Sequence, residues 1–244
     1  MNILSIDIGI KNLAFSICKI VKKKENLVIE IIDWTVINLI ESNICQEIKS
    51  CKCNSKFFIN KKDISNNIFQ HFICNKHSQK YDKQILNKFK NENSNNISLI
   101  NISNNIIKYL DKYFESLREK NNIKISDFSN IIIENQIGPL AIRMKSIQAM
   151  ITMYFVYNEN INIEYINSSN KLKYFVNKTS SYKERKKQSI NITKSLLEDK
   201  VYKLNNLNNI EIENNHYWLN VFINNSKKDD LADCFLQLLY FALI

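Results

Sequence analysis

The N-terminal part of the chain constrains the fold most, because it contains three strand-like runs separated by short turns. Residues 2–8 (NILSIDI) alternate with the two-residue period of a half-buried strand. Gly9 follows as a turn residue, residues 13–17 alternate again, and residues 27–37 (LVIEIIDWTVI) form a third apolar run. Consecutive strands that are joined by short turns predict an antiparallel meander.

A polar, cysteine-rich segment interrupts this regular pattern. Residues 41–95 contain four of the six cysteines and two of the three histidines, together with many lysines. A chain of 244 residues that is 45% hydrophobic is long enough to bury one sizeable core. We therefore predict one domain over residues 1–244, with residues 41–95 as an insertion within it.

The remainder of the chain alternates between helical and strand-like periodicity. Apolar spacing predicts helices over residues 97–120, 140–157 and 228 onward, and strands over residues 129–134 and 161–166. Ser181 and Glu184 match a capping box that opens a basic helix reaching about Asp199, and the asparagine-rich residues 204–215 are predicted to form a loop. This order predicts an α/β fold in which helices pack on the faces of a sheet.

The charge balance predicts a polyanionic partner. The formal net charge is +10 and the isoelectric point is about 9.2, which favours nucleic acid first and an anionic membrane surface second. No apolar run is long enough to span a bilayer, and Asp7 interrupts the first apolar stretch, so no signal peptide is expected. We therefore expect a protein of a reducing intracellular compartment, neither secreted nor bound to a membrane, whose cysteines bind metal or are buried.

Glycine and proline are almost absent, so their positions are informative. The two glycines and the one proline are Gly9, Gly138 and Pro139, and each lies within a few residues of Asp7 or Glu134. Glycine permits backbone angles that other residues avoid, and proline restricts them. These three positions are therefore predicted to shape the backbone beside two acidic residues.

Four carboxylates are placed where a metal site could form. Asp7 lies in the first strand and Glu134 ends a run of three isoleucines, while Asp230 and Asp233 share one face of the last helix. Asp229 and Asp233 also share a face, so Asp229 remains an alternative to Asp230. These acidic residues also have explanations without a metal. An acid at a strand end is usually only solvated, and acids near a helix N-terminus often complement the helix dipole.

Metal chemistry explains why carboxylates would gather in this way. Carboxylate oxygens are the ligands that Mg²⁺ prefers. Two such ions, roughly 4 Å apart, activate a water and stabilise the leaving oxygen in phosphodiester cleavage. The sequence therefore predicts a nuclease site that holds two Mg²⁺ ions.

Three short motifs give this chain a family resemblance. Residues 3–16 (ILSIDIGIKNLAFS), 131–136 (IIIENQ) and 227–233 (KKDDLAD) together resemble the Holliday junction resolvases of poxviruses and related large DNA viruses. They also resemble the yeast mitochondrial cruciform-cutting endonucleases. Both groups belong to the RuvC-like branch of the RNase H-like superfamily, and the motifs span nearly the whole chain.

The resemblance implies a fold, a site and a substrate. It implies an RNase H-like mixed sheet with helices on both faces. It also implies that Asp7, Glu134, Asp230 and Asp233 are the metal ligands, because the family places the last pair three residues apart, which favours Asp230 over Asp229. The implied activity is that of a homodimer that makes symmetric nicks in four-way DNA junctions with Mg²⁺ or Mn²⁺, without a small-molecule cofactor.

Basic residues that could contact DNA fall in two places. A resolvase recognises branched shape, so contacts to the phosphate backbone are expected to outnumber contacts to bases. Gln136 is either a DNA contact or an ordinary turn residue. The phosphate-binding candidates are Arg143 and Lys145 on the helix after Glu134, and Lys183, Arg185, Lys186 and Lys187 on the basic helix, where the four cannot all face one way.

The insertion carries a set of ligands suited to structural zinc. Cys51 and Cys53, followed by Cys74 and His77, supply the three sulfurs and one imidazole of a tetrahedral Cys₃His site. The one-residue gap in the first pair is tighter than usual. The alternatives are that Cys45 or His71 replaces one of these ligands, or that the cysteines are merely buried, as is expected for Cys18 and Cys234.

Two other functions remain open at this stage. One is another RNase H-like nuclease that acts on RNA–DNA hybrids or replication intermediates, and the other is a non-catalytic nucleic-acid-binding protein. The four candidate carboxylates distinguish a nuclease from a protein that only binds nucleic acid, because such a binding protein gains nothing from carboxylates that repel phosphate. The acidic set therefore predicts a metal-dependent nuclease, and the family resemblance implies that its substrate is a four-way DNA junction.

Overall fold

The computed structural model describes residues 1–24, 26–40, 43–138, 141–158, 161–176, 181–199, 201–204 and 209–244. The predicted turn residue Pro139 lies outside these ranges, as does the first residue of the helix predicted over residues 140–157. The described residues form two compact units. The sheet unit comprises Met1–Leu39 and Leu99–Ile244, and the inserted unit comprises Ile40–Ser98.

The elements follow one another in a mixed order of strands and helices. The strands are β1 (Asn2–Ile8), β2 (Asn12–Lys22), β3 (Asn26–Asn38), β4 (Phe57–Lys62), β5 (Ile68–Ile73), β6 (Asn87–Lys88), β7 (Asn130–Asn135), β8 (Asn162–Asn167), β9 (Val201–Tyr202) and β10 (Asn209–Glu213). The helices are α1 (Asn75–Ser78), α2 (Leu99–Asn121), α3 (Ile142–Asn158), α4 (Tyr182–Glu198), α5 (Asn215–Asn224) and α6 (Lys228–Leu243). None of the helices within the described ranges is long and apolar enough to cross a bilayer.

The sheet unit is built on a seven-stranded mixed sheet with the strand order β8-β7-β1-β2-β3-β10-β9. The first three strands pair antiparallel with their neighbours, which confirms the predicted meander. Strand β7 pairs parallel with both β1 and β8, and β10 pairs parallel with β3. The sheet is therefore mixed, as the family resemblance implies.

Helices cover both faces of this sheet, because each strand alternates apolar side chains between its faces. On one face α6 contacts β1, β2, β3 and β7, and Trp34 Nε1 donates to the carbonyl of Leu231 at 3.0 Å. On the other face Phe15 of β2 stacks on Tyr113 of α2, with ring centroids 5.0 Å apart. Each fully buried leucine or phenylalanine contributes about 1.5–3 kcal/mol, so the two layers fix the sheet between them.

Two glycines shape the backbone beside β1 and β7. The Gly9 N–H donates to the carbonyl of Asn12 at 2.9 Å, and a Cβ at position 9 would lie 2.8 Å from that oxygen. Gly138 has a φ of +111°, which L side chains rarely adopt. Both positions therefore require glycine, for two different reasons.

The loop predicted over residues 204–215 is wrong at Asn209–Glu213 and at Asn215. Strand β10 occupies Asn209–Glu213 and α5 begins at Asn215, while residues 205–208 lie outside the described ranges. Ile210 and Ile212 are buried because β10 adds to the free edge of β3. That pairing partner lies far away in sequence, and the local asparagine-rich composition hides it.

The inserted unit contains its own small sheet. Strands β4, β5 and β6 form three antiparallel strands in the order β5-β4-β6, with Phe57 opposite Ile73. The single-turn helix α1 follows β5 directly. Few apolar side chains of this unit are buried, among them Ile59 and Ile73.

Candidate active site and cysteine cluster

Asp7 and Glu134 lie side by side on neighbouring parallel strands. In the pairing of β1 with β7, Ile6 is opposite Ile133, and the next residue on each strand is the acidic one. Asp7 and Glu134 therefore meet near the carboxyl ends of the two strands, where their side chains are 14% and 15% exposed. An ionised carboxylate buried to this extent needs a cation nearby.

Helix α6 supplies the other two carboxylates. The buried Gln237 Nε2 donates to Ser5 Oγ at 3.2 Å and lies 3.3 Å from the carbonyl of Ile6 and 3.4 Å from that of Ile132. This side chain ties α6 to both strands that carry the first two acids. Asp233 lies one turn before Gln237, on the same helix face.

Lys171 lies at the centre of the acidic cluster, which is formed by Asp7, Glu134 and Asp233 with Asp230 beside them. Sequence reasoning missed this lysine. Its Nζ lies 2.7 Å from Asp7 Oδ1, 3.3 Å from Glu134 Oε1 and 3.7 Å from Asp233 Oδ2. The side chain is only 4% exposed and follows the 3-10 turn Ser168–Asn170. Nothing local distinguishes it from the exposed Lys173, so its role depends on long-range packing.

Burial and mutual repulsion shift the pKa values of the acids. Burial, aided by the charge of Glu134, raises the pKa of Asp7 to about 7 despite the opposing attraction of Lys171. Burial also raises the pKa of both Asp230 and Asp233. Burial lowers the pKa of Lys171, but its carboxylate neighbours outweigh burial and hold that pKa above its usual value. The lysine therefore remains a cation within a cluster that is rich in negative charge.

Asp229 and Asp230 face different partners. Lys186 Nζ lies 2.6 Å from Asp229 Oδ2, and although burial opposes it, this contact keeps the pKa of Asp229 below its usual value. Asn12 Nδ2 donates to Asp230 Oδ2 at 3.3 Å, and the charge of Asp7 acts on Asp230. The structure thus brings Asp230, rather than Asp229, toward the acidic cluster.

The donor set of the acidic cluster fits a hard divalent cation. All of its ligand atoms are carboxylate oxygens, which suit Mg²⁺ or Mn²⁺. The position of the Lys171 ammonium shows that a positive charge can be held between three of them. In this structure the carboxylates of Asp7, Glu134 and Asp233 surround that ammonium.

The basic candidates differ in exposure and in their partners. On α3, Lys145 is exposed and Arg143 is half-buried; on α4, Lys183, Arg185 and Lys187 are exposed. Lys186 instead pairs with Asp229.

Gln136 contacts the acidic cluster through Glu134. It donates through Nε2 to Glu134 Oε2 at 3.1 Å, and its N–H donates to Gln148 Oε1 at 3.0 Å. Gln136 therefore fixes the orientation of Glu134.

The inserted unit gathers a different cysteine set from the one predicted. Cys45, Cys51, Cys74 and His77 place their ligand atoms within 4.8 Å of one another. Cys53 is exposed and contributes its carbonyl, which accepts the N–H of Cys45 at 2.9 Å. Assigning Cys53 as a ligand is therefore wrong for this geometry, and the alternative Cys45 takes its place.

The remaining histidine and cysteine candidates have other contacts. His71 Nε2 lies 3.2 Å from Glu47 Oε2, which keeps that ring outside the cluster. Cys18 and Cys234 are fully buried in the sheet unit, and the Cys234 thiol donates to the carbonyl of Leu231 at 3.1 Å. These two cysteines are packing residues.

Comparison with known proteins shows several similarities. Residues 3–136 match the family described as mitochondrial resolvase Ydc2 / RNA splicing MRS1. The uncharacterized protein L451 of Acanthamoeba polyphaga mimivirus is 26% identical, over 99% of this chain and 74% of that protein. Fowlpox virus resolvase, solved with Holliday junction DNA, aligns with a TM-score of 0.48 at 18% identity over 99% of this chain and 97% of its own. Thermus thermophilus RuvC aligns with a TM-score of 0.47 at 10% identity over 99% and 95%.

Proposed function

Because this chain belongs to the mitochondrial resolvase Ydc2 / RNA splicing MRS1 family, we propose that it is a Holliday junction resolvase, a nuclease that cuts phosphodiester bonds in four-way DNA junctions. The convergence of Asp7, Glu134 and Asp233 on one buried ammonium supports this proposal most directly. Three buried acids in one place are unfavourable for folding without a cation. Proteins keep such an unfavourable group of buried acids where the acids are needed for catalysis.

The acidic cluster is the catalytic site of the proposed enzyme. Asp7, Glu134, Asp230 and Asp233 would hold Mg²⁺ or Mn²⁺, with two ions expected per site. When bound, such ions activate a water and stabilise the leaving oxygen of the cleaved phosphodiester. Lys171 offsets part of the negative charge of the carboxylates in the absence of metal, and it supplies a fixed positive charge beside the phosphate on which negative charge develops.

Neighbouring amides position the carboxylates. Gln136 orients Glu134, and Asn12 donates to Asp230. Gln237 fixes the register of α6 on the sheet. Each amide acts through a carboxylate or a helix and is therefore a positioning residue.

The exposed basic residues bind the phosphate backbone. Lys183 and Lys187 are four residues apart on α4, so they share one face and can follow one strand of DNA. Arg185 and Lys145 are also exposed, and Arg143 lies on α3, the helix that follows Glu134. Contacts of this kind recognise the shape of the branched molecule rather than its sequence.

A homodimer explains the exposed face of α3. This helix buries Ile147, Ile151 and Phe155, yet Ile142 is 72% exposed and Met153 is 59% exposed on its opposite face. A helix that is apolar on both faces is normally covered on both. We propose that a second copy covers it, since a two-fold dimer places two identical sites on the two symmetric strands of a junction.

A four-way junction assay tests the activity. Each of the four strands is end-labelled in turn and incubated with Mg²⁺ or without it, beside linear duplex and an RNA–DNA hybrid of equal length. The expected result is a pair of symmetric cuts in opposing strands, with little cutting of the controls. Equal cutting of linear duplex or of the hybrid would be consistent with a nuclease but would contradict the assignment as a resolvase. Binding without any cleavage would favour the non-catalytic alternative.

A further inference from the structure

We propose that Cys45, Cys51, Cys74 and His77 bind one zinc ion as a closed structural site that holds the inserted unit together. None of these residues takes part in the proposed nuclease chemistry, so this proposal stands independently of that function. Three sulfurs and one imidazole match the borderline-soft preference of zinc and not that of magnesium.

The distances within the cluster fit a tetrahedral ion. With a Zn–S bond of about 2.3 Å and a Zn–N bond of about 2.0 Å, the edges of the tetrahedron are about 3.8 Å between sulfurs and about 3.5 Å between sulfur and nitrogen. The separation of Cys51 Sγ and Cys74 Sγ is 4.0 Å. His77 Nδ1 lies 3.2 Å from Cys45 Sγ and 3.6 Å from Cys74 Sγ. A zinc ion therefore fits between the four atoms after shifts of a few tenths of an ångström.

The surroundings of the cluster favour metal over the other fates of cysteine. Cys45, Cys74 and His77 are buried and Cys51 is half-buried, so the ion would be shielded from water. All of these cysteines are free, and the two sulfurs at 4.0 Å are far beyond the disulfide bond length of about 2.05 Å. Buried packing alone does not explain why the polar ring of His77 points at sulfur atoms.

The backbone around the cluster holds two distant pieces of chain in place. The N–H of Cys45 pairs with the carbonyl of Cys53 at 2.9 Å, which closes the loop that carries Cys51. Gln46 then pairs through its N–H with the carbonyl of Phe72 at 2.8 Å, next to the turn that carries Cys74. One ion would therefore join a loop before β4 to the turn between β5 and α1.

The inserted unit needs such a link because its core is small. Among its described residues, the buried apolar side chains other than cysteine are Ile40, Ile59, Ile73 and Ile97. Small units with little buried apolar surface usually rely on disulfides or metal for stability. Four protein ligands fill the tetrahedron and leave no open position, so the site is structural rather than catalytic.

Elemental analysis of matched variants tests the ligand set. Wild-type protein, dialysed into metal-free buffer, is expected to retain about one zinc per chain. Cys45→Ser should lose that zinc, whereas Cys53→Ser, which changes a nearby exposed cysteine, should retain it. Asp7→Asn should also retain it, which separates this site from the acidic cluster and from the outcome of the nuclease assay.

Cobalt substitution of the wild type provides a second measurement that does not require the Cys45→Ser variant to fold. Co²⁺ in the site is expected to give the intense visible bands of tetrahedral coordination and the charge-transfer absorption of thiolate ligands. Zinc retained in Cys45→Ser, or lost equally from Cys53→Ser, would overturn the ligand set. A wild type without zinc and without the tetrahedral cobalt spectrum would overturn the site itself.

Discussion

The ammonium of Lys171 lies 2.7 Å from the carboxylate of Asp7, and both side chains are largely buried, with 4% and 14% of their surface exposed. Glu134 and Asp233 share the same ammonium, so one positive charge faces three carboxylates. Negative charge remains in excess even in the absence of metal. That excess favours a divalent cation, and it makes Lys171 part of the stability of the metal-free protein.

Replacing Lys171 should destabilise the metal-free protein. In magnesium-free buffer, Lys171→Met should lower the free energy of unfolding by about 3–5 kcal/mol, because it leaves buried carboxylates without their partner. Added Mg²⁺ should restore part of the loss. Urea denaturation measures both effects, and Lys173→Met, at an exposed position two residues away, is the control and should change stability by less than about 0.5 kcal/mol. Equal losses for the two variants would contradict the role of Lys171.

Replacing Asp7 should separate binding from cleavage. Asp7→Asn keeps the side-chain volume and removes the charge, so cleavage should fall by on the order of 10²–10³-fold while junction binding persists. Gel-shift and single-turnover assays on the same junction measure the two properties. Full cleavage by this variant would show that the catalytic site lies elsewhere.

The two adjacent aspartates of α6 should differ in effect. Asp230→Asn should reduce cleavage far more than Asp229→Asn, because Asp229 is paired with Lys186 and Asp230 faces the acidic cluster. Titrating Mg²⁺ should show a higher half-saturating concentration for the Asp230 variant. Indistinguishable titrations would leave neither residue favoured as the ligand.

The exposed lysines of α4 should contribute to DNA binding through their charge. Lys183→Ala combined with Lys187→Ala should flatten the salt dependence of junction affinity, and each lost phosphate contact should reduce the log–log slope by roughly one. Lys186→Ala is the control within the same helix, because Lys186 is engaged with Asp229. A slope that changes only in the Lys186 variant would reverse this assignment.

The exposed face of α3 should be required for paired cuts. Met153→Glu should produce monomers that nick a junction without resolving it, because a single site cuts one strand. Ile223→Glu, at an exposed apolar position of α5, is the matched control and should remain dimeric. Light scattering reports the assembly, and strand-specific labelling reports the cuts. A monomeric wild type that still makes paired cuts would contradict the dimer.

The parts of the fold that follow from local periodicity could be predicted from the sequence. Strands β1 to β3 and helices α2 and α6 carry regular apolar patterns, and the meander is confirmed. Strand β10 could not be predicted, because the edge of β3 decides its burial. Local sequence determines where a strand or helix begins and ends, whereas the strand with which it pairs can lie far away in the sequence.

The sites show the same division between local and long-range information. The motif positions of Asp7 and Glu134 point to neighbouring strand ends, where the structure brings these acids together. Lys171 is an ordinary lysine in sequence and becomes distinctive only when packing buries it among carboxylates. In the same way, Cys45 rather than Cys53 enters the cysteine cluster, and spacing alone does not reveal the backbone pairing of these two residues.

Helix α6 also affects when the activity can appear during protein synthesis. It carries Asp230 and Asp233, and it follows in the chain every strand of the sheet that it covers. Domains begin to fold from the N-terminus while translation continues, but a ribosome-bound chain that has not yet extruded Lys228–Leu243 has an uncovered sheet face and only two of the four proposed metal ligands. If the proposed site is correct, an incomplete translation product that stops before this helix is expected to be inactive on DNA.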